Sequence, residues 1–197
     1  MAHKGKRKEY IKWGIAGLLV ACVLLYSPYL VYFQYLSPEN TLRYSEKSMH
    51  YGPSDIIDER KVNSSIIYLS TYKDWFSASH VERKWGIFWQ HRNGGGIKKN
   101  SEEAITHIFG SSFKGEPAIS YMGGYVSDPE IDVIEVELDH ETLQEPVNDQ
   151  QLFLVVWKGG RSYEVLRSYR GLNEEGDVLY EYEHPRMDNV RYFDEVE

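Results

Sequence analysis

The sequence predicts an α+β protein in which an N-terminal transmembrane helix precedes one domain, mainly an antiparallel β-sheet with one or two short helices. Three observations support this fold class. An uncharged apolar run occupies residues 13–35, several short apolar or alternating segments follow it, and only two later stretches have the caps and spacing of a helix. The 197 residues, 42% hydrophobic and 26% charged, suit one globular domain better than a disordered chain.

The charge distribution around the apolar run predicts its orientation. Residues 1–12 hold five basic residues and one acidic residue, a net charge of +4, and no further charge occurs before Glu39. As a helix, residues 13–35 would rise about 34 Å at ~1.5 Å per residue, enough to cross a hydrocarbon core of ~30 Å. Basic flanks stay on the cytoplasmic side. We therefore expect a cytoplasmic tail over 1–12, a membrane span over 13–35 and an extracytoplasmic domain over 38–197.

Cys22 leaves an alternative form of membrane attachment open. The residues at 19–22, Leu-Val-Ala-Cys, resemble the lipobox of bacterial lipoproteins, in which the cysteine is acylated and becomes the new N-terminus. The residues that follow remain apolar and do not form a polar tether, which favours an uncleaved helix. A cleaved secretory signal is disfavoured because no A-x-A cleavage site is present. The alternative to a transmembrane anchor is thus a lipoprotein anchored at Cys22.

Two segments carry helix signals. Ser37 is suited to an N-cap, Pro38 to the first helical position and Glu39 to the first turn, so we expect a short helix that ends near Met49. The second segment begins at Asn100 with a capping-box pattern, has apolar residues at 104, 105, 108 and 109, and is followed by a glycine. It predicts a helix over 100–109.

The rest of the domain predicts strands. The segments concerned are 65–69, 85–89, 119–126, 131–138, 152–157, 163–169 and 177–182. Residues 152–157 are apolar on both faces, which predicts the central strand, and the last two segments predict a hairpin. The alternation slips by one residue between Val133 and Ile134, as at a β-bulge. Gly94, Gly95 and Gly96 predict a flexible turn after the strand at 85–89.

Composition and motifs disfavour several kinds of chemistry. The net charge of −8 argues against nucleic-acid binding, and a single cysteine excludes an intramolecular disulfide framework or a Cys-rich zinc site. The histidines lack metal-ligand spacing, and the acids between Asp128 and Glu141 alternate with apolar residues, which indicates a solvated strand face. Ser111 and Lys114 match S-x-x-K without the other elements of that enzyme class. No catalytic residue, metal ligand or cofactor is predicted, and the ligand-binding residues stay open.

Five aromatic residues fall close together in the sequence: Trp75, Phe76, Trp85, Phe88 and Trp89. Such rings usually fill the core of a small β-rich domain, and we take this as the main interpretation. The alternative is that some of them stack on a sugar or a peptide ligand. Because Phe88 lies opposite the face of its alternating neighbours, it is the ring we expect to be exposed.

Three short segments carry a resemblance to known proteins. Ser37-Pro38-Glu39 after the apolar run, the segment at 84–89 and the segment at 128–131 resemble the layout of small single-pass extracytoplasmic proteins of bacilli and related bacteria. The resemblance implies the same placement and brings no functional residues with it. We expect a non-enzymatic, membrane-anchored binding or accessory module of a bacterial envelope, attached to the membrane and facing an envelope protein or ligand. The alternatives are an inhibitor or immunity-type protein, or an envelope enzyme without a recognisable motif.

Overall fold

The computed structural model describes residues 12–22, 35–112, 118–159 and 165–184. These ranges contain helix α1 at residues 12–22, helix α2 at Pro38–Ser48 and eleven strands. The strands are β1 Asp55–Val62, β2 Ser65–Tyr72, β3 Trp75–Lys84, β4 Phe88–Lys98, β5 Ile105–Ser111, β6 Ile119–Val126, β7 Val133–Leu138, β8 Thr142–Pro146, β9 Leu152–Lys158, β10 Leu166–Leu172 and β11 Val178–Glu183. The predicted α+β class is confirmed.

The strands form three antiparallel sheets. Sheet A has the order β1-β2-β3-β4, sheet B the order β5-β6-β9, and sheet C the order β11-β10-β7-β8. Neighbouring strands in sheet A follow one another in sequence, so it is a meander built from short turns. The mainly antiparallel architecture predicted from the alternating segments is therefore correct.

Three apolar clusters show how the sheets are layered. Leu42 of α2 packs on Ile66, Tyr68 and Val81 of sheet A. The opposite face of sheet A packs on sheet B, in a cluster that includes Leu69, Phe76, Tyr121 and Leu154. The other face of sheet B packs on sheet C, in a cluster that includes Met122, Val155, Ile134 and Tyr169. The order of layers is thus α2, sheet A, sheet B and sheet C, with sheet B covered on both faces.

Strand β9 agrees with one part of its prediction and contradicts another. Its side chains are buried on both faces, as expected from residues 152–157. Its position is not central, because β6 lies between β5 and β9. Two glycines hide the central role of β6 in the sequence: a Cβ at Gly124 would lie 2.3 Å from the Phe153 ring, and one at Gly123 would lie 3.0 Å from the Ala78 Cβ. Close packing requires glycine where an apolar side chain would have marked a buried strand.

Helix α2 forms where it was predicted. Ser37 is its N-cap, with a side chain that accepts a hydrogen bond from the Asn40 N–H, and Pro38 occupies the first turn. The helix buries Thr41, Leu42, Ser45 and Glu46 against sheet A.

The helix predicted over 100–109 is wrong, because residues 105–111 form strand β5. The Asn100 side chain does accept a hydrogen bond from a nearby backbone amide, the Glu102 N–H at 3.0 Å, but it caps a turn and not a helix. Strand β5 pairs with β6 from Ile105, opposite Val126, to Ser111, opposite Ser120. The apolar spacing fits a strand as well, since Ile105 and Phe109 both face sheet C. Tertiary pairing outweighs the local helix signal.

The strand predicted over 85–89 is correct only at Phe88 and Trp89, which begin β4, and is wrong at residues 85–87. Trp85 and Gly86 have positive φ angles of 49° and 78° and form the turn between β3 and β4. Gly94, Gly95 and Gly96 lie inside β4 and pair with β3, so they are not the flexible turn we expected. The most exposed of the five rings is Trp85, at 87% exposure, whereas Phe88 is partly buried. Because residues 85–87 form a turn ahead of β4, the alternation of Trp85, Ile87 and Trp89 does not report which side chains share a strand face.

The β-bulge expected between Val133 and Ile134 is absent from β7. Residues 133–137 pair continuously with β8, from Val133 opposite Pro146 to Glu137 opposite Thr142. Ile131 belongs to the preceding turn, where its N–H donates to the Asp128 carbonyl, and this accounts for the slip in alternation. The hairpin predicted at the end of the domain is confirmed by the pairing of β10 with β11.

Several predictions lie partly or wholly outside the described residues. The predicted span at 13–35 is described only at 13–22 and at residue 35, and the basic tail only at Lys12. Within the described ranges, neither helix has the length and apolar character that a membrane crossing needs. Cys22 is an exposed free thiol in the described part of α1. Lys114 of the S-x-x-K match lies outside the described residues, while Ser111 is buried.

Candidate ligand-binding pocket

A cavity of about 410 Å³ lies where the C-terminal end of α2 meets the turn between β2 and β3. We call it the α2 pocket. Its lining combines three aromatic rings, a thioether, three charged or titratable groups and two hydroxyls. The residues are Glu46, Met49, His50, Tyr51, Tyr72, Lys73, Trp75, Ser77, Ser79 and Gly96. An apolar concavity with a few polar groups is the usual form of a small-molecule site.

The pocket depends on two chain reversals. After α2, His50 and Gly52 adopt positive φ angles of 57° and 90°, and the Tyr51 N–H donates to the Glu46 carbonyl at 2.9 Å. This reversal brings the Tyr51 side chain back over the end of the helix. On the opposite side, Lys73 has a φ of 54° in the turn that follows Tyr72. The two reversals place side chains from separate segments around one space.

Three aromatic rings, Tyr51, Tyr72 and Trp75, contribute to the walls of the pocket. Tyr51 and Tyr72 make an edge-to-face contact, with ring centroids 5.5 Å apart. The Lys73 ammonium lies 5.0 Å from the Tyr72 ring centroid, a cation–π contact. Trp75, at the start of β3, is 43% exposed although it lines the cavity. An indole held in this way provides a flat apolar surface for a ligand.

A buried carboxylate forms the base of the pocket. Glu46 is 2% exposed, and its Oε2 lies 3.0 Å from the Arg43 guanidinium. The Ser54 hydroxyl donates to the same carboxylate, and Arg43 also donates to the Ser54 hydroxyl at 3.1 Å. Since a buried charge requires a partner, this network stabilises the end of the helix. The Arg43 guanidinium also balances the charge of the Glu46 carboxylate. Among the described residues, the Lys73 ammonium is therefore the main charge of the pocket without an ion-pair partner.

The Tyr51 hydroxyl is buried in the wall of the pocket, close to Ser77 and Glu46. Burial raises the pKa of Tyr51, and the nearby Glu46 carboxylate raises it further, while the adjacent Ser77 side chain lowers it. The Ser77 hydroxyl shares a hydrogen bond of 2.8 Å with Ser70. The Tyr51 and Ser77 hydroxyls therefore both lie within the wall of the pocket, since Ser77 is 4% exposed and the Tyr51 oxygen is buried.

Two further groups of side chains were considered as sites. A more open cavity of about 550 Å³ lies on the outer side of α2 and is lined by Asn40, Arg43, Tyr44, Lys47 and Ser48. One helix alone supplies these residues. Between sheets B and C, the His107 Nδ1 lies 3.0 Å from the Tyr169 hydroxyl, and the Phe109 and Tyr182 rings pack around it. Burial and His184 lower the pKa of His107, and the rings fill the space around it.

No group of three or more His, Cys, Asp or Glu side chains is placed to hold a metal ion in the part of the chain that the structure describes.

The acidic side chains of β7 form ion pairs with an arginine of the neighbouring strand. Arg170 of β10 lies 2.6 Å from Glu181, 3.3 Å from Glu135 and 3.6 Å from Glu137. These carboxylates therefore form an ion-pair network across the outer strands of sheet C.

The structure separates the five aromatic residues grouped by the sequence. Trp75 lines the α2 pocket, Phe76 is fully buried, and Trp89 packs beside the cluster under α2. Trp85 and Phe88 lie at the opposite end of β3, where their ring centroids are 6.4 Å apart. Sequence reasoning missed Tyr51, Tyr72 and Lys73. The available signal was the segment at 72–75, Tyr-Lys-Asp-Trp, which places aromatic residues on both sides of a short turn.

No protein-family model, curated protein or solved structure matches this chain, and function is therefore inferred from the pocket itself.

His80 provides a pH-dependent test of the packing between sheets A and B. It is fully buried on β3 opposite Ile67 and Asn93, and its ring nitrogens have no well-formed hydrogen bond. Burial, and then the positive charge of Arg92 and the neighbouring His91, lower the pKa of His80 from 6.5 to about 4, against a weaker opposing effect of Asn93. The folded protein thus holds this imidazole neutral at neutral pH.

We expect the free energy of unfolding to decrease as the pH is lowered from about 6.5 to 4, because the unfolded chain binds a proton at His80 that the folded chain does not. The stabilisation is complete above pH 6.5 and is lost toward pH 4, at up to about 1.4 kcal/mol per pH unit. Urea unfolding of His80→Leu at pH 7 and pH 4.5 should show a shallower dependence than the parent. His140→Leu, at an exposed position, is the control. An unchanged pH dependence in His80→Leu would contradict the assignment.

Proposed function

We propose that this protein is a membrane-anchored binding module of a bacterial envelope, with its domain outside the cytoplasm and its ligand in the α2 pocket. The basic tail and the uncharged run at 13–35 support the anchor and its orientation. Acylation at Cys22 would place the domain on the same side of the membrane. The binding function is supported chiefly by one observation: Trp75 is 43% exposed while it lines a cavity with Tyr51 and Tyr72.

The chemistry of the pocket favours a saccharide ligand. A sugar ring has an apolar face that stacks on an indole or a phenol, and hydroxyls that need hydrogen-bond partners at its edge. Trp75 supplies the exposed flat surface. His50 and Lys73 supply exposed polar groups beside it. The Lys73 ammonium further favours a neutral or anionic saccharide over a cationic one.

Replacing Trp75 by alanine is expected to weaken saccharide binding by about 30-fold. Truncation of a central Trp typically costs about 2 kcal/mol or more in binding free energy, and 1.4 kcal/mol corresponds to tenfold. The measurement is a calorimetric titration of the full-length protein with an N-acetylglucosamine tetramer, which does not depend on the indole that the substitution removes. The protein should be held in a detergent without a sugar headgroup, so that the detergent does not compete.

Trp85→Ala is the matched control, because it removes the same side chain from the opposite end of β3. It should leave the affinity for the tetramer unchanged. Equal affinity of Trp75→Ala and the parent would contradict the pocket as the binding site. No response of the parent to the tetramer would contradict the saccharide assignment.

A further inference from the structure

The turn between β3 and β4 presents two large apolar side chains to solvent. Trp85 is 87% exposed and Ile87 is 59% exposed. The turn is closed by a hydrogen bond of 3.2 Å from the Ile87 N–H to the Lys84 carbonyl, and the Phe88 ring supports the edge of the indole. We call residues 84–88 the β3–β4 tip. A well-formed turn that exposes a Trp beside an Ile marks a surface for interaction.

The segment that contains the tip carries positive charge, whereas the rest of the domain after residue 37 is acidic. Residues 83–101 contain five basic residues and no Asp or Glu, whereas the whole chain has a net charge of −8. Lys84 lies in the tip and Arg83 precedes it, and neither takes part in an ion pair among the described residues. Arg83 lies 5.8 Å from the Trp89 ring centroid. An exposed Trp next to unpaired basic side chains is the combination that favours an anionic bilayer surface.

The contacts of α2 show which end of the domain the tip belongs to. Leu42, in the first half of the helix, packs with Ile66 and Val81, only three residues before Lys84. Glu46 and Met49, in the second half, line the α2 pocket with Trp75. The helix therefore begins near the tip and ends near the pocket. The nine steps of β3 between Trp75 and Lys84 separate the two ends by about 30 Å at ~3.3 Å per residue.

We propose that the β3–β4 tip is a second membrane contact, in which Trp85 and Ile87 enter the headgroup region of an anionic bilayer. Arg83 and Lys84 then pair with its phosphate groups. The run at 13–35 leads directly into α2, whose N-terminus lies at the tip end, so the proposed anchor and the tip approach the same membrane. The inference depends on the proposed anchoring and does not depend on the saccharide pocket. It leaves the α2 pocket turned away from the bilayer.

The test uses the full-length protein in vesicles that contain phosphatidylglycerol and phospholipids brominated near the headgroup. Brominated chains quench a tryptophan only at short range, so the quenched fraction counts the residues in contact with lipid. The chain has five Trp. If Trp13 and Trp85 contact lipid, the parent has two quenched of five, Trp85→Phe one of four, and Trp75→Phe two of four. Trp75→Phe is the control because it removes the exposed indole at the other end of β3.

Flotation of the same samples separates the possible failures. Protein that floats with the vesicles, with less quenching in Trp85→Phe than in Trp75→Phe, supports the proposal. Protein that floats with equal quenched fractions in the two variants overturns the tip contact and leaves the anchor intact; the tip then faces water or another protein. Protein that does not float overturns both. Equal quenching of Trp85 in vesicles of phosphatidylcholine alone would overturn the role assigned to Arg83 and Lys84.

Discussion

Replacing Val155 by aspartate is expected to unfold the domain. Val155 is 3% exposed, pairs with Met122 across β6 and β9, and belongs to the cluster between sheets B and C. An unpaired carboxyl group at this depth costs several kcal/mol whether ionised or protonated, against a typical domain stability of about 5–15 kcal/mol.

Circular dichroism and thermal melting of the full-length protein would measure this effect. Val178→Asp is the matched control, because Val178 is 52% exposed on the edge strand β11 and should tolerate the charge. A Val155→Asp protein that melts like the parent would show that sheet B is not the buried middle layer.

Replacing Arg43 by methionine is expected to lower the free energy of unfolding by about 3 kcal/mol. The substitution removes the guanidinium that lies 3.0 Å from the Glu46 carboxylate and leaves a 2% exposed charge with Ser54 alone. Loss of one partner of a buried ion pair typically costs about 3–5 kcal/mol. The lower end of this range applies because the Arg43 side chain is 37% exposed, so water can replace part of its interaction with the Glu46 carboxylate.

A double substitution tests the cause of this loss. Arg43→Met combined with Glu46→Gln removes the uncompensated charge and should regain at least half of the lost stability in urea unfolding. Lys47→Met, at an exposed position on the same helix, controls for the loss of one surface charge. If the double variant is no more stable than Arg43→Met, the buried carboxylate is not the source of the effect.

The sequence predicted correctly those elements that are determined by neighbouring residues and not by pairing with a distant strand. The Ser37 cap and Pro38 defined the start of α2, and residues 65–69 lie in β2. Where a segment pairs with a distant strand, local signals misled: the segment from Asn100 has a capping pattern, yet its apolar residues pair with β6. The turn at Trp85 was missed because a bulky residue rarely adopts positive φ, so alternation with Ile87 and Trp89 suggested a strand.

The pocket was harder to predict than the sheets, because its residues come from segments that meet only in the fold. Tyr51 follows a helix, while Tyr72 and Trp75 lie on either side of a turn. Alternation predicts which side chains are buried, but not which exposed rings share a cavity. The sequence around Glu46 also does not predict its burial, because a carboxylate on a short helix usually faces water. Its burial depends on the hydrogen bonds among Glu46, Ser54 and Arg43, which form only in the fold.

We propose separate roles for the two ends of β3, ligand binding at Trp75 and membrane contact at Trp85. The most direct test is tryptophan fluorescence of the full-length protein in phosphatidylglycerol vesicles, recorded with the N-acetylglucosamine tetramer and, separately, with brominated lipid. We expect Trp75→Phe to lose the saccharide response and keep the lipid quenching contributed by Trp85, and Trp85→Phe to do the reverse. Loss of both responses in the same variant, or of neither response in either variant, would contradict the account.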